Sequence, residues 1–229
     1  MNWDFVREVG LLRWSYRTFI RQLYKRVLHR EIVMRLPHGG RFIISSDSKS
    51  AAEAYITNAD IDWGSEALFA RFADADSDAF DIGSHIGYYA CYLSPLVRSA
   101  YAFEPDPSNL HTLSRNAALA KNIHVVREAV SSQSGKADFY SHGNSAVGSL
   151  VPSEGPSISV NVTTVDNFIA EHPGVKPTLI KIDVEGHDFS VLQGMEQTVA
   201  SIQPLVLTEC DYNSELAELC NRWNYLIFA

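Results

Sequence analysis

From residue 79 onward the chain alternates short apolar runs with segments of helical spacing, and this alternation restricts the fold more than any other feature. Residues 79–82 read as a buried strand and 87–94 as the start of a helix. A strand at 100–103 is followed by a helix at 107–120, opened by Pro107. Strands follow at 123–127, 178–183 and 204–209, with helices at 189–200 and 214–222 and a last strand at 225–228. Strands separated by helices pair in parallel through right-handed crossovers. The expected fold is therefore α/β, a doubly wound and mostly parallel sheet.

Residues 1–50 read as an N-terminal extension and 51–229 as the main domain. Residues 1–35 carry eight lysines and arginines against Asp4, Glu8 and Glu31, although the whole chain has a net charge of −8. The excess acid lies in the remainder. Phe5, Val9, Leu12, Tyr16, Phe19, Leu23 and Val27 recur every three or four residues, the stripe of an amphipathic helix, with Trp3 and Trp14 beside it. Such a stripe packs on the acidic body or across a homodimer, or it lies on an anionic membrane surface as a peripheral contact; the first use is the commoner. Residues 31–48 hold two apolar runs around Pro37-His38-Gly39-Gly40, the pattern of a hairpin. Residues 51–75 read as helical, with Ala67, Leu68, Phe69 and Phe72 as core candidates. Residues 141–157 are polar and turn-rich, the composition of a mobile loop beside a site.

Cys91, Cys210 and Cys220 form no CxxC pair, which suits a reducing compartment and argues against a disulfide framework or a zinc site. No apolar run nears the roughly 20 residues of a membrane span, and no signal-peptide pattern opens the chain. The expected location is cytoplasmic. An acidic body lacks the electrostatic footprint of a nucleic-acid binder, so no nucleic-acid partner is expected.

In doubly wound sheets ligands bind beyond the carboxyl ends of the strands. Those ends hold Asp81, Gly83, His85 and Gly87, then Glu104, then Glu128 and Ala129, then Asp183 and Glu185, then Glu209 and Asp211. Glu104 follows the glycines by about 20 residues, the place of a carboxylate that accepts ribose hydroxyls. A dinucleotide needs a bare second glycine where its pyrophosphate approaches the backbone. Here that position is His85, and Tyr88 replaces the third glycine. Acidic strand ends suit a cation better than a diphosphate. S-adenosylmethionine, an adenosine with a sulfonium and no phosphate, fits these residues better than NAD.

The stretches "FDIGSHIGYYA", "YAFEPDPSNLHTLSRNAAL", "VVREAVSSQSGKADFY", "TTVDNFIAE", "IKIDVEGHDFSVLQGM" and "QPLVLTE" resemble, in order and spacing, the FkbM family of S-adenosylmethionine-dependent methyltransferases. The resemblance covers roughly residues 79–210. It implies a class I, Rossmann-like fold and O-methylation of a hydroxyl on a small molecule or glycan. His85 stands where the family usually has asparagine, and "EGHD" replaces "EGAE". The chain also stops near Phe228, where class I methyltransferases usually pair a further antiparallel strand, so an edge is expected to seek a partner.

On this reading Gly83 and Gly87 turn tightly beneath the methionine part of the cofactor, and Asp81 orders the turn. Glu104 holds the ribose, and Glu128 and Ala129 border the adenine. Asn109 and Asn116 read as structural polar residues. In a strand Lys181, Asp183 and Glu185 project to one side. Lysine is seldom buried unpaired, so a structural pair of Lys181 with Asp183 or Glu209 is the alternative to a catalytic cluster. The catalytic candidates are Asp183, with Glu185 in support and His187 as a variable element; His85 is a further candidate base. Hard oxygens of Asp183, Glu209 and Asp211 would suit magnesium, but their spacing is not diagnostic and no metal is assigned. His111, His124, His142 and His172 read as surface or loop residues. An NAD-dependent oxidoreductase or epimerase, a non-catalytic binding protein and a nucleic-acid methyltransferase are the competing classes. The absence of a Tyr-x-x-x-Lys pair weighs against the first.

Overall fold

The computed structural model describes residues 6–7, 9–45, 48–62, 64–141 and 148–228. Trp3, Phe5 and residues 142–147 of the turn-rich stretch, His142 among them, lie outside the described residues. The parallel alternation expected from residue 79 is present. Strands β3 (Asp78–Ile82), β4 (Ser99–Phe103), β5 (Ile123–Val126), β10 (Pro177–Ile182) and β11 (Leu205–Thr208) form one parallel sheet in the order β11-β10-β3-β4-β5. Its connecting helices are α4 (Tyr88–Leu93), α5 (Pro107–Ala117), α7 (Asp188–Gln193) and α8 (Glu196–Ile202), and α9 (Ser214–Trp223) follows β11. The chain runs outward from β3 through β4 and β5, then returns to the other side of β3 as β10. The carboxyl end of β3 is thus the point where strand order reverses, and the crevice opens there.

Apolar side chains fill both faces of this sheet. Phe80, Phe103 and Phe168 meet edge to face with ring centroids 4.9 to 5.5 Å apart, contacts worth about 0.5–1.5 kcal/mol each beyond area burial. Phe168 belongs to α6 (Val165–Glu171). On the opposite face, the hairpin of β1 (Ile32–Arg35) and β2 (Arg41–Ile44) joins the same core as α4. The Phe42 ring packs edge-on to Tyr88 at 5.6 Å. Asn116, fully buried on α5, ties the two parts together: its Oδ1 accepts from Ile43 N at 2.8 Å and its Nδ2 donates to the Ile86 carbonyl at 2.7 Å. At the hairpin turn Gly39 takes φ +97, but so does a non-glycine neighbour, His38, at φ +61. Gly40 is required for a different reason, since a Cβ there would stand 2.3 Å from the Cys91 carbonyl oxygen.

Several sequence expectations need correction. Residues 51–75 are two short helices, α2 (Lys49–Thr57) and α3 (Ser65–Ala70), broken where Asn58 and Ala59 turn left-handed. Of the four core candidates only Phe69 is buried; Ala67, Leu68 and Phe72 are exposed, and Glu66 faces inward instead. The expected helix at 189–200 breaks at Gly194, whose Cα lies against the Ser131 carbonyl so closely that a Cβ would sit 2.2 Å from it. Residues 225–228 form no strand, and Leu226 and Phe228 are exposed. A second sheet escaped the sequence reading altogether. Its strands β6 (Ala129–Val130), β7 (Gly135–Ser141), β8 (Gly148–Ser149) and β9 (Ser157–Thr163) run in the order β6-β9-β7-β8.

The N-terminal helix α1 (Leu11–Leu23) continues through a wider π-helical turn at Tyr24–Leu28. Leu12, Tyr16, Phe19 and Val27 of its apolar stripe do not pack on the body, while Val9 and Leu23 are half-buried. Arg17 donates to the Tyr55 carbonyl and to Asn58 Oδ1, and its guanidinium lies 5.2 Å from the Tyr55 ring centroid, so a polar face of α1 rests on α2. Leu12 is 88% exposed, with Leu11, Tyr16 and Phe19 exposed beside it. No described helix is long and apolar enough to cross a membrane.

Candidate functional site

A cleft of about 350 Å³ opens over the carboxyl ends of β3, β4 and β10. Its floor is the turn after β3. Gly83 takes φ +77, and a Cβ there would stand 1.8 Å from the Asp183 carbonyl oxygen. Only glycine lets the ends of β3 and β10 approach this closely, and Asp183 N donates to the Ile82 carbonyl at 3.0 Å across the gap. Gly87, at φ +84, stands just before α4, with Leu113 packed over it. Asp81 does not face the cleft. It is fully buried, one carboxylate oxygen accepts from Ala90 N at 2.9 Å, and burial pushes it up to about 6. Its hydrogen bond ties the end of β3 to the first turn of α4.

Glu104 extends from the end of β4, 4% exposed, and lines the cleft. Its two oxygens accept separately, from His85 N and from Asp106 N, each at 2.8 Å, and Asn109 adds a side-chain hydrogen bond. A carboxylate has about four acceptor positions, so capacity remains for hydroxyls arriving from the cleft. Burial pushes Glu104 up to about 7. His85 carries φ +50, lines the cleft, and is held below the ordinary imidazole range by burial.

Glu128 and Ala129 also line the cleft, at the entrance to the second sheet. That sheet supplies an apolar wall that the sequence reading missed. Phe139 of β7 packs over Gly148, where a Cβ would sit 2.4 Å from its ring, and Leu150 follows. The available signal was the strict alternation in "SISVNVT", which is strand-like. Asn109, read as structural, lines the cleft as well, and so does Ser50 from the start of α2.

The opposite wall is acidic. Asp183 lines the cleft while Lys181 Nζ reaches its Oδ2 at 2.7 Å. Lys181 is 8% exposed and its ammonium lies 4.9 Å from the Tyr89 ring centroid. The structural ion pair weighed against a catalytic role is therefore present, and it holds the very carboxylate that faces the cleft. Tyr89 in turn donates to Asp62, and Tyr88 Oη to Glu66 at 3.0 Å. Glu185 sits past the strand, at φ +51, and lines the cleft; its carbonyl accepts from Ser149 Oγ at 2.8 Å, joining the two walls. Burial, then the Asp183 charge, raises Glu185, whereas for Glu209 the Asp183 charge comes first and burial second. His187 lines the cleft with Nε2 2.8 Å from Ser131 Oγ, and burial lowers it toward the neutral form. Among the described residues no three His, Cys, Asp or Glu side chains converge to hold a metal ion.

The lining thus holds five carboxylates, and among its described residues no lysine or arginine. An apolar wall for a flat ring, a buried carboxylate for vicinal hydroxyls and an acidic wall for a positive charge suit S-adenosylmethionine. They leave nothing to neutralise a diphosphate.

A family model described as "Methyltransferase FkbM domain" matches residues 81–226. Over 141 residues the chain is 31% identical to the hexuronic acid methyltransferase AglP of Haloferax volcanii, covering 61% of this chain and 59% of that protein. It is 27% identical over 175 residues to Methyltransferase 1 of Beauveria bassiana, covering 65% of this chain and 70% of that one. A crystal structure of the methyltransferase FkbM from Methylobacillus flagellatus aligns with a TM-score of 0.47 at 17% identity, covering 96% of this chain and 53% of that chain. The chain spans about three fifths of the first of these relatives.

Proposed function

The chain belongs to the FkbM methyltransferase family, and from that premise we propose that it is an S-adenosylmethionine-dependent O-methyltransferase acting on a hydroxyl of a glycan or small molecule. The observation that carries this reading is the buried Glu104 carboxylate beside the Gly83 turn, in a cleft whose described lining has no lysine or arginine. When bound, the cofactor supplies a methyl group on a positively charged sulfur, open to in-line attack by an acceptor oxygen.

The chain's own residues do the rest. Glu104 accepts the ribose hydroxyls, and Phe139, Ala129 and Leu150 cover the base. The turn at Gly83 and His85 carries the methionine part, and Asp183 with Glu185 and Glu209 forms the acidic wall beside the transferred group. Lys181 fixes one Asp183 oxygen, so this carboxylate keeps one orientation. Holding acceptor and methyl in line supplies several kcal/mol through proximity. The acceptor proton passes to a base on the acidic wall, Asp183 with Glu185 beside it. His187, neutral and tied to Ser131, borders the same space.

The relative that methylates a hexuronic acid supports a glycan acceptor. The charge of this cleft points to a neutral or amino sugar over a uronate, because another carboxylate would enter among five. Calorimetric titration with S-adenosylmethionine, S-adenosylhomocysteine and NAD tests the cofactor. Binding of the two sulfur nucleotides, weakened by Glu104→Ala and absent for NAD, is expected. NAD binding without them refutes the reading. Transfer of radiolabelled methyl to methyl glucoside, glucosamine and glucuronate in parallel tests the acceptor, and preference for glucuronate would refute its class.

A further inference from the structure

The N-terminal helix is mounted the wrong way round for a helix that serves the core. Arg17 and Arg21 turn toward the body, where Arg17 bonds the Tyr55 carbonyl and Arg21 the Ser48 carbonyl at 3.4 Å. Leu12, Tyr16 and Phe19 point into solvent, at 88%, 65% and 64% exposure. An amphipathic helix ordinarily buries its stripe, and an exposed apolar patch marks a surface that something else covers.

Charge identifies the cover. The stripe is flanked by exposed Arg7, Arg13, Arg26 and Arg30. A second copy docked stripe to stripe would bring two such basic rims together, which like-charge repulsion opposes. An anionic lipid surface accepts both parts, the aromatic and leucine side chains in its interface and the arginines among its headgroups. The body carries the chain's excess acid and is repelled by the same surface, which orients the molecule helix-down.

We propose that α1 is a membrane-surface anchor that binds anionic phospholipid through Leu12, Tyr16, Phe19 and its arginine rim. Ser48, whose carbonyl Arg21 holds, lies two residues before Ser50 on the cleft lining.

The test is co-sedimentation of the full chain with phosphatidylcholine vesicles, with and without phosphatidylglycerol. Binding only to the anionic vesicles, reduced by added salt, is expected. Arg13→Ala with Arg26→Ala should weaken it by about thirtyfold. Leu12→Asp with Phe19→Asp should abolish it while circular dichroism and S-adenosylhomocysteine binding stay unchanged, because both side chains are exposed. No binding to anionic vesicles, or equal binding to neutral ones, overturns the proposal. So does a light-scattering mass of two copies that falls to one in the Leu12→Asp, Phe19→Asp variant, which would make a second copy the occupant. None of these readouts depends on methyl transfer.

Discussion

With Glu104 as the proposed ribose acceptor, affinity for a nucleoside ligand should depend on pH in a direction the structure dictates. The carboxyl is buried at the floor of the cleft and pushed up to about 7. Ribose hydroxyls donate to the ionised form, so binding must draw the proton off. At pH 8 roughly nine-tenths of the sites are already ionised, and at pH 6 roughly one-tenth. Affinity for S-adenosylhomocysteine should therefore fall by roughly tenfold from pH 8 to pH 6, about 1.4 kcal/mol. Close to one proton should be released per ligand at the lower pH. Titration calorimetry in buffers of different ionisation enthalpy measures both quantities. Glu104→Gln keeps the size of the side chain but cannot ionise, so its weaker binding should lose this pH dependence. A wild-type affinity that is flat from pH 6 to pH 8, or a slope that survives in Glu104→Gln, would refute the argument.

Three further outcomes follow from the same geometry. A buried acid raised above the solvated range binds its proton more tightly when folded, so its contribution to stability is present at low pH and lost as pH rises through about 7. The melting temperature of the ligand-free protein should accordingly drop from pH 5 to pH 7.5 more steeply in wild type than in Glu104→Gln, as scanning calorimetry would show. Gly83→Ala must place a Cβ 1.8 Å from a backbone oxygen at φ +77; with about 1–2 kcal/mol for the left-handed backbone alone, it should lower stability by more than about 2 kcal/mol in urea titration and abolish ligand binding. Lys181→Met leaves buried Asp81 and half-buried Asp183 without their cation, a loss of about 3 kcal/mol. Stability measured by denaturant should recover in part when Asp183→Asn is added, and independent losses would argue against the pair.

The parallel sheet was readable because each strand is a short, mostly apolar run flanked by helix signals, and burial of the central strands on both faces demands that composition. Gly83 and Glu104 were readable for a related reason. A strand-to-helix turn and the end of the next strand occupy fixed sequence offsets in this fold. The second sheet was not read, because its strands are half exposed and interrupted by polar turns, so "GKADFYS" looks like loop composition. Ala67, Leu68 and Phe72 were misread because hydrophobicity alone put them inside. Glu66 goes in because two backbone amides and the Tyr88 hydroxyl satisfy one of its oxygens there.

The alternation of strand and helix, the acid at the strand ends and the place of the Gly83 turn are local consequences of composition and spacing, and the chain determined them without help from distant contacts. The tertiary structure decided everything that depends on pairs far apart in sequence. It set the approach of Gly83 to the Asp183 carbonyl, the place of Lys181 against the Tyr89 ring, and the meeting of Phe139, Leu150 and Glu104 on the lining of one cleft. It also turned the apolar stripe of α1 outward. Periodicity says that a helix has two faces, but which face meets the body depends on the hydrogen bonds that Arg17 finds on α2, and no local pattern encodes them.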